Sequence, residues 1–430
     1  MKQPIGGKKI RQKASHSALL QSVEVESPLF SPGAPQVGKL DAIIIPASRR
    51  ASSFDDLIRL SARLGAQLVV ICSKLARIDD VAERVARTPS ARALIIEMPK
   101  NYRVPRMPGR TSRRAFLEAS AGRVSDLSAK RNLGLLLARL NGWHKIVFVD
   151  DDITLTELEA FERLARRLER APIAGMVCRE FPDNSVVCHA RRLAGLPQDN
   201  FVSGSVLGVN CDDLPFPFFP DIYNEDWFFF SKAVARFELA NAGDAAQRPY
   251  KPFADPERAR HEEFGDLLAE GLFSLIGEVL DRPVDEEEDD ESIDYRELFE
   301  FATEEFWAEF IRARRTTLRE TRHGLEALAT AEARQALRSL SAAEQQLSAI
   351  TPELCVAFLG AWQEDLGDWE IAVESTNTVT STWEAMNELG LRKWRLAESG
   401  DTQVAKPQRG AARRSYAAAE RRAQALNCAS

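Results

Sequence analysis

Nine residues constrain this chain more than any others: Lys145-Ile-Val-Phe-Val-Asp150-Asp151-Asp152-Ile153. The run from Ile146 to Val149 is β-branched and aromatic with no polar alternation, the pattern of a strand buried on both faces of a parallel sheet. It stops at three consecutive carboxylates, which repel one another and need a counterion. Open α/β sheets bind ligands at the carboxyl ends of their strands. A divalent cation shared with a phosphorylated substrate supplies that counterion, because hard cations take their ligands from carboxylate and phosphate oxygens. A plainer reading makes Asp152 or Thr154 the cap of the next helix. Thr154-Leu-Thr-Glu157 does match a capping box ahead of Leu158, Phe161, Leu164 and Leu168. One cap uses one side chain, however, and leaves two carboxylates unexplained.

The rest of the chain supplies the room such a sheet needs. Its 430 residues suffice for two or three domains, and 44% hydrophobic content suits a globular protein with a large core. No segment approaches the roughly 18 consecutive apolar residues of a membrane helix. Residues 1–13 are basic but lack a following apolar signal region, so the expected compartment is the cytoplasm. Cys72, Cys178, Cys188, Cys211, Cys355 and Cys428 are scattered without CxxC spacing, which predicts reduced core thiols rather than a disulfide or zinc framework. A formal net charge of −7 argues against nonspecific nucleic-acid binding.

Residues 1–38 mix Lys, Ser, Gly and Pro and read as a mobile arm. Ala42-Ile-Ile-Ile then predicts a short buried strand ended by Pro46. A helix over 53–64, a strand over 67–72, a helix over 79–86 and a strand over 93–97 extend it as βαβ units, so the sheet grows in the parallel sense. Residues 99–115, rich in Arg, Pro and Gly, read as a loop. A helix over 125–142 follows, with Leu133, Leu136, Leu137 and Leu140 inward and Asn141-Gly142 at its end. Lys130 and Arg131 in its first turns reach toward the aspartates, where an anion would meet both cations and free backbone donors. Beyond the aspartates, strands are expected at 172–178 and 185–189, with Asp183-Asn184 as a turn and His189 as a structural histidine. A glycine-broken strand over 202–210 predicts close backbone approach at Gly204, by a bulge or a bound sugar.

In the segment Phe216-Pro-Phe-Phe-Pro220-Asp221-Ile-Tyr223-Asn224-Glu225-Asp226-Trp227, aromatics and prolines crowd an acidic pair. A carboxylate in so apolar a cleft is partly desolvated, which suits a general base for a hydroxyl near neutral pH. Asn224, Glu225 and Asp226 are also good first-turn residues for a helix over 227–234, and the two roles are compatible.

These residues together resemble the GT-A glycosyltransferases, above all the inverting family 2 type, over roughly residues 40–270. The resemblance rests on Pro46-Ala-Ser48-Arg49, Ala129-Lys130-Arg131-Asn132-Leu-Gly134, the aspartates at 150–152, Ser203-Gly204-Ser205 and Asn224-Glu225-Asp226-Trp227. It implies a mostly parallel α/β sheet with flanking helices over 39–270. A nucleotide-sugar donor would be held by Pro46, Ser48, Arg49, Lys130, Arg131, Asp150, Asp151 and Gly204. Asp226 would act as catalytic base, with Glu225 as its neighbour. A Mg or Mn ion would sit on Asp150, Asp152 and His261. The second strand departs from the family, ending in Cys72-Ser73-Lys74 where acidic residues usually touch the base; donor nucleotide and sugar stay open. So do three alternatives: a retaining enzyme of the sugar-phosphoglycerate synthase type, a sugar nucleotidyltransferase, and an inactive scaffold.

Beyond about residue 255 no strand is expected. Helices over 262–280, 294–314, 317–347, 352–365 and 379–397 predict an all-α domain over 271–398, with Trp307, Trp362, Trp383 and Trp394 as core or interface anchors. That domain would shape the pocket of a hydroxyl acceptor, or hold a second copy or partner subunit. The acidic run 284–291 reads as a solvated linker, and 399–430 as a flexible basic tail.

Overall fold

The computed structural model describes residues 38–154, 158–182, 184–280, 295 and 297–401. The acidic run, residue 183 and nearly all of the amino-terminal arm and basic tail lie outside the described residues, as do residues 155–157 of the expected capping box.

The amino-terminal half follows from fully buried apolar runs separated by amphipathic helices. β1 (Ala42–Ile45), α1 (Asp55–Leu64), β2 (Gln67–Cys72), α2 (Ile78–Arg87) and β3 (Arg92–Glu97) form two βαβ units, and β1–β2 and β2–β3 pair in parallel. Asp55 and Asp56 sit in the first turn of α1 and Asp79 and Asp80 in that of α2, where the helix dipole favours them. After α3 (Arg114–Ala119), α4 (Leu127–Asn141) is buried on nearly every side and stops at Gly142, whose left-handed φ of 63° ends the helix. It feeds β4 (Lys145–Val149), which lies parallel to β1.

The chain continues through β5 (Ile153–Thr154), α5 (Leu158–Arg167), β6 (Ile173–Cys178), α6 (Val186–Leu193), β7 (Val202–Asn210), α7 (Glu225–Ala235) and β8 (Leu239–Gln247). It then runs through α8 (Pro256–Leu280), α9 (Glu297–Phe301), α10 (Glu304–Glu326), α11 (Ala331–Leu347), α12 (Pro352–Glu374), α13 (Thr382–Glu388) and β9 (Trp394–Glu398). The strand order is β5-β8-β6-β7-β4-β1-β2-β3-β9. Ile43, Ile45, Leu68 and Val70 face a core closed by α1, α2 and α5. Ala42, Ile44, Val69 and Ile71 face a second core that contains α4, α7, α8 and the helices through α13. No helix among the described residues is long and apolar enough to cross a membrane.

Three expectations are corrected. The sheet is mixed rather than mostly parallel, since β7 runs antiparallel to both β4 and β6, β9 to β3, and β5 to β8. A strand buried on both faces carries no mark of its direction. Residues 185–189 are helical: the Ser185 hydroxyl accepts the Cys188 N–H at 3.3 Å as an N-cap, and a short apolar run fits helix and strand alike. The helix expected over 379–397 ends at Glu388, Gly390 turns the chain with φ 65°, and 394–398 becomes the edge strand β9. Trp307 and Trp362 are buried as expected, but Trp383 is 53% exposed. The described cysteines Cys72, Cys178, Cys188, Cys211 and Cys355 are buried.

Gly134 lets α4 lie directly on the sheet. A Cβ there would meet the Phe148 ring at 2.6 Å and Ile44 Cδ1 at 3.1 Å. Gly134→Ala is therefore expected to destabilise the fold by about 1–3 kcal/mol through overpacking, despite alanine's better helix propensity, as a lower midpoint in urea melts.

Candidate functional site

The three aspartates end β4 in three different environments. Asp151 is 2% exposed and accepts the backbone N–H groups of Ser48 at 2.6 Å and Arg49 at 2.7 Å, so it pins the β1–α1 loop onto the strand end. The Arg49 guanidinium pairs with Asp151 and reaches Asp152 Oδ2 at 2.9 Å. Half of the Arg49 side chain remains exposed to solvent. Asp152 also accepts Gln247 Nε2 at 3.2 Å from the end of β8, the strand that pairs with β5. Asp150 turns the other way, toward Arg131 Nη2 at 3.0 Å. Lys130, buried beneath the same loop, donates to Ala47 O at 2.8 Å and Ser73 Oγ at 2.7 Å and pairs with Asp126 at 3.2 Å. Burial pulls its pKa down from the usual lysine value.

Arg131 is the hub of the second half of the site. Only 2% exposed, it donates Nη1 to Glu225 Oε1 at 2.7 Å and Nη2 to Asp150 and, at 2.8 Å, to Gly204 O. Burial works against its charge, but Asp150 and Glu225 outweigh burial and raise its pKa. Gly204 is the close approach expected from the broken strand, and what approaches is protein. A Cβ there would stand 2.7 Å from Asp226 Cβ and 2.8 Å from Arg131 Nη1. The Gly204 N–H donates to Asp226 Oδ2 at 2.6 Å, holding a carboxylate that is 9% exposed.

Asp150, Arg131, Gly204, Glu225 and Asp226 line one cavity of about 800 Å³. Its opposite wall comes from the carboxyl-terminal helices: Asp266, Glu270, Ser274 and Glu278, at four-residue spacing along one face of α8, with Phe310 and Arg314 of α10. Arg314 is buried and bonds Glu263, Asp266 and Glu270 at 2.8–3.0 Å. Burial pushes Glu263 up to about 7 even beside that guanidinium, and Glu262 up to about 6. A second cavity of about 980 Å³ lies on the other side of the start of α4. It runs past Ser73, Met98, Tyr102 and Asn132 under a rim that includes Lys74 and Arg103.

Of the residues singled out in the sequence, the fold gathers Ser48, Arg49, Lys130, Arg131, the three aspartates, Gly204, Glu225 and Asp226 at one sheet edge. Pro46 follows β1 on the way to Ser48 and makes no polar contact there through its ring. Neither His261, half-buried on α8, nor Asp150 and Asp152 belong to a group of three or more His, Cys, Asp or Glu suited to a metal among the described residues. The oxygens near the lip nevertheless fit a hard cation that takes one or two carboxylates together with substrate phosphates. Beside Asp152 the Gln247 Oε1 atom is buried without a hydrogen-bond partner among the described residues. Gln247 went unread because Leu239–Gln247 is built of small residues that carry no strand pattern. Asp266, Glu270, Ser274 and Glu278 also went unread, although their four-residue spacing on one helix was the signal that could have found them. His189 is structural, stacked on Phe181 at 5.0 Å, with its pKa pushed down to about 4 by burial and then by Arg192 and Arg258.

No protein-family model matches this chain, and no curated protein matches it. Among solved structures it is similar to the mannosyltransferase PcManGT from Pyrobaculum calidifontis in complex with GDP-Man and Mn2+. The identity is 12%, the match covers 82% of this chain and 93% of that one, and the TM-score is 0.36. A likeness at that level bears on neither substrate nor mechanism.

The raised Glu263 pKa sets a pH dependence. Its stabilising contribution is complete below the unfolded value near 4.5 and is lost as pH rises through about 7. Melting temperature is expected to fall by a few degrees between pH 5 and pH 8, and Glu263→Gln to flatten that slope, as read by calorimetry across the range.

Proposed function

We propose that this protein transfers a sugar from a nucleotide-diphosphate donor to a hydroxyl acceptor, with inversion at the anomeric carbon. The observation that carries the reading is the junction at Arg131. One buried guanidinium ties the carboxylate ending β4 to the first turn of α7, so that Asp150 and Asp226 open onto the same cavity. A donor laid across the start of α4 has a cavity on either side, the second suited to its nucleoside and the first to its sugar. Asp226, oriented by the Gly204 N–H, takes the proton from the attacking hydroxyl. Displacement from that side inverts the sugar. Arg49, half-exposed on the lip, meets the charge developing on the departing diphosphate.

A Mg or Mn ion would be held by Asp152 with the Gln247 amide oxygen and the donor's phosphates, Asp150 being turned toward Arg131. When bound it would neutralise the same leaving charge. The wall of this cavity carries both signs, Asp266, Glu270 and Glu278 of α8 standing with Arg314, Arg123 and Arg191, so its charge suits a polar acceptor without selecting a neutral over an anionic one.

Two measurements test the assignment. In a screen of nucleotide-sugars, Asp226→Asn is expected to lower transfer by about 100-fold or more while the nucleoside diphosphate still binds; normal turnover would remove Asp226 as the base. By titration with MnCl2 alone, Asp152→Asn is expected to weaken Mn2+ binding and Arg49→Met, which removes a competing cation, to tighten it. Unchanged affinity in both variants would remove the cation from the lip.

A further inference from the structure

The carboxyl-terminal helices do more than wall the cavity: they hold the backbone from which the acidic pair projects. Asn224, immediately before α7, has a left-handed backbone (φ 61°, ψ 35°), and its side chain makes no capping bond to the helix it precedes. It turns away instead and donates Nδ2 to Asp266 Oδ1 on α8 at 2.8 Å. The residue before it is clamped by the same helix, since a Cβ on Gly265 would stand 2.3 Å from the Tyr223 carbonyl oxygen. A non-glycine residue persists in this conformation where its surroundings over-determine it. Here the surroundings are Gly265 and Asp266.

The charges around Arg314 point the same way. Glu263 binds that guanidinium with both oxygens at 3.0 Å and Glu270 at 2.8 and 2.9 Å, so two side chains already take four of the five bonds to Arg314. A third buried carboxylate adds repulsion and desolvation that electrostatics alone does not recover. That third carboxylate is Asp266, the one that also reaches Asn224. We infer that Asp266, held by Arg314, is a positioning residue for Glu225 and Asp226 and acts through Asn224. The inference rests on the transferase reading above. It gives the helical region a defined part in the reaction: α8 sets the rotation of the first turn of α7, and with it the aim of Asp226 into the cavity.

The test uses the full chain and three variants. Asn224→Gly removes the tether while glycine accepts φ 61° without strain, so the fold is retained. It is expected to lower kcat by about tenfold or more, as a small misplacement of a base does, with donor KM and the affinity for the nucleoside diphosphate within about twofold of wild type. Asp266→Ala should match it, Arg314 keeping Glu263 and Glu270, whereas Asp266→Asn, which retains an acceptor for Asn224, should recover most of the rate. A kcat for Asn224→Gly within about twofold of wild type overturns the inference. So does a loss of kcat in step with donor affinity and melting temperature, which is the mark of a merely structural contact, or equal damage from Asp266→Asn and Asp266→Ala. Absence of transfer by the wild-type chain with every nucleotide-sugar removes the reading beneath it instead.

Discussion

Arg131 is buried with its charge intact, and the geometry of the site depends on how that charge is answered. A guanidinium taken out of water needs close, well-aligned partners, and removal of one would leave the others uncompensated. Its partners come from distant parts of the chain: Asp150 at the end of β4, Gly204 O on β7 and Glu225 at the start of α7. The bonds are short and bidentate-capable, so they fix direction as well as distance. Strand end, neighbouring strand and helix start are thereby held in one register. Asp226 inherits its place from that register through the Gly204 N–H.

The aspartate lip is organised by the same economy of charge. Two arginines and a buried lysine stand against three carboxylates, and each carboxylate has a separate task. Asp151 holds a loop, Asp150 engages the hub, and Asp152 shares Arg49 with the amide of Gln247. Because Lys130 is shared with Asp126 and Arg131 with Glu225, the cluster as a whole keeps an excess of carboxylates. Of the three cations, Arg49 is the one exposed enough to rearrange.

Much of this was legible before the structure. The βαβ units at 42–97, the helix ending at Gly142 and the strand of Ile146 to Val149 follow from short β-branched runs that alternate with helix-period segments. Glu225 and Asp226 stood out because carboxylates are rare among so many aromatic residues. What escaped was local structure whose pattern is ambiguous or absent. Val186-Val-Cys fits a strand until Ser185 is seen to cap a helix, and Leu239–Gln247 has few side chains that favour a strand. β9 was read as the end of a helix because its pairing with β3 lies about 300 residues away in sequence, beyond the reach of any local signal.

The amino-acid order by itself determined which segments are buried and which chemistry they carry: an apolar strand ending in three acids, a basic pair one helix earlier, an acidic pair among aromatics. Those properties reside in neighbouring residues, and periodicity and solvation express them locally. Tertiary structure alone decided the antiparallel entry of β7 and β9, the turn of Asp150 toward Arg131 and of Asp152 toward Gln247, and the reach of α8 to Asn224. Each of these is set by a hydrogen bond or ion pair between residues far apart in the chain, and such a bond leaves no trace in either partner's immediate sequence.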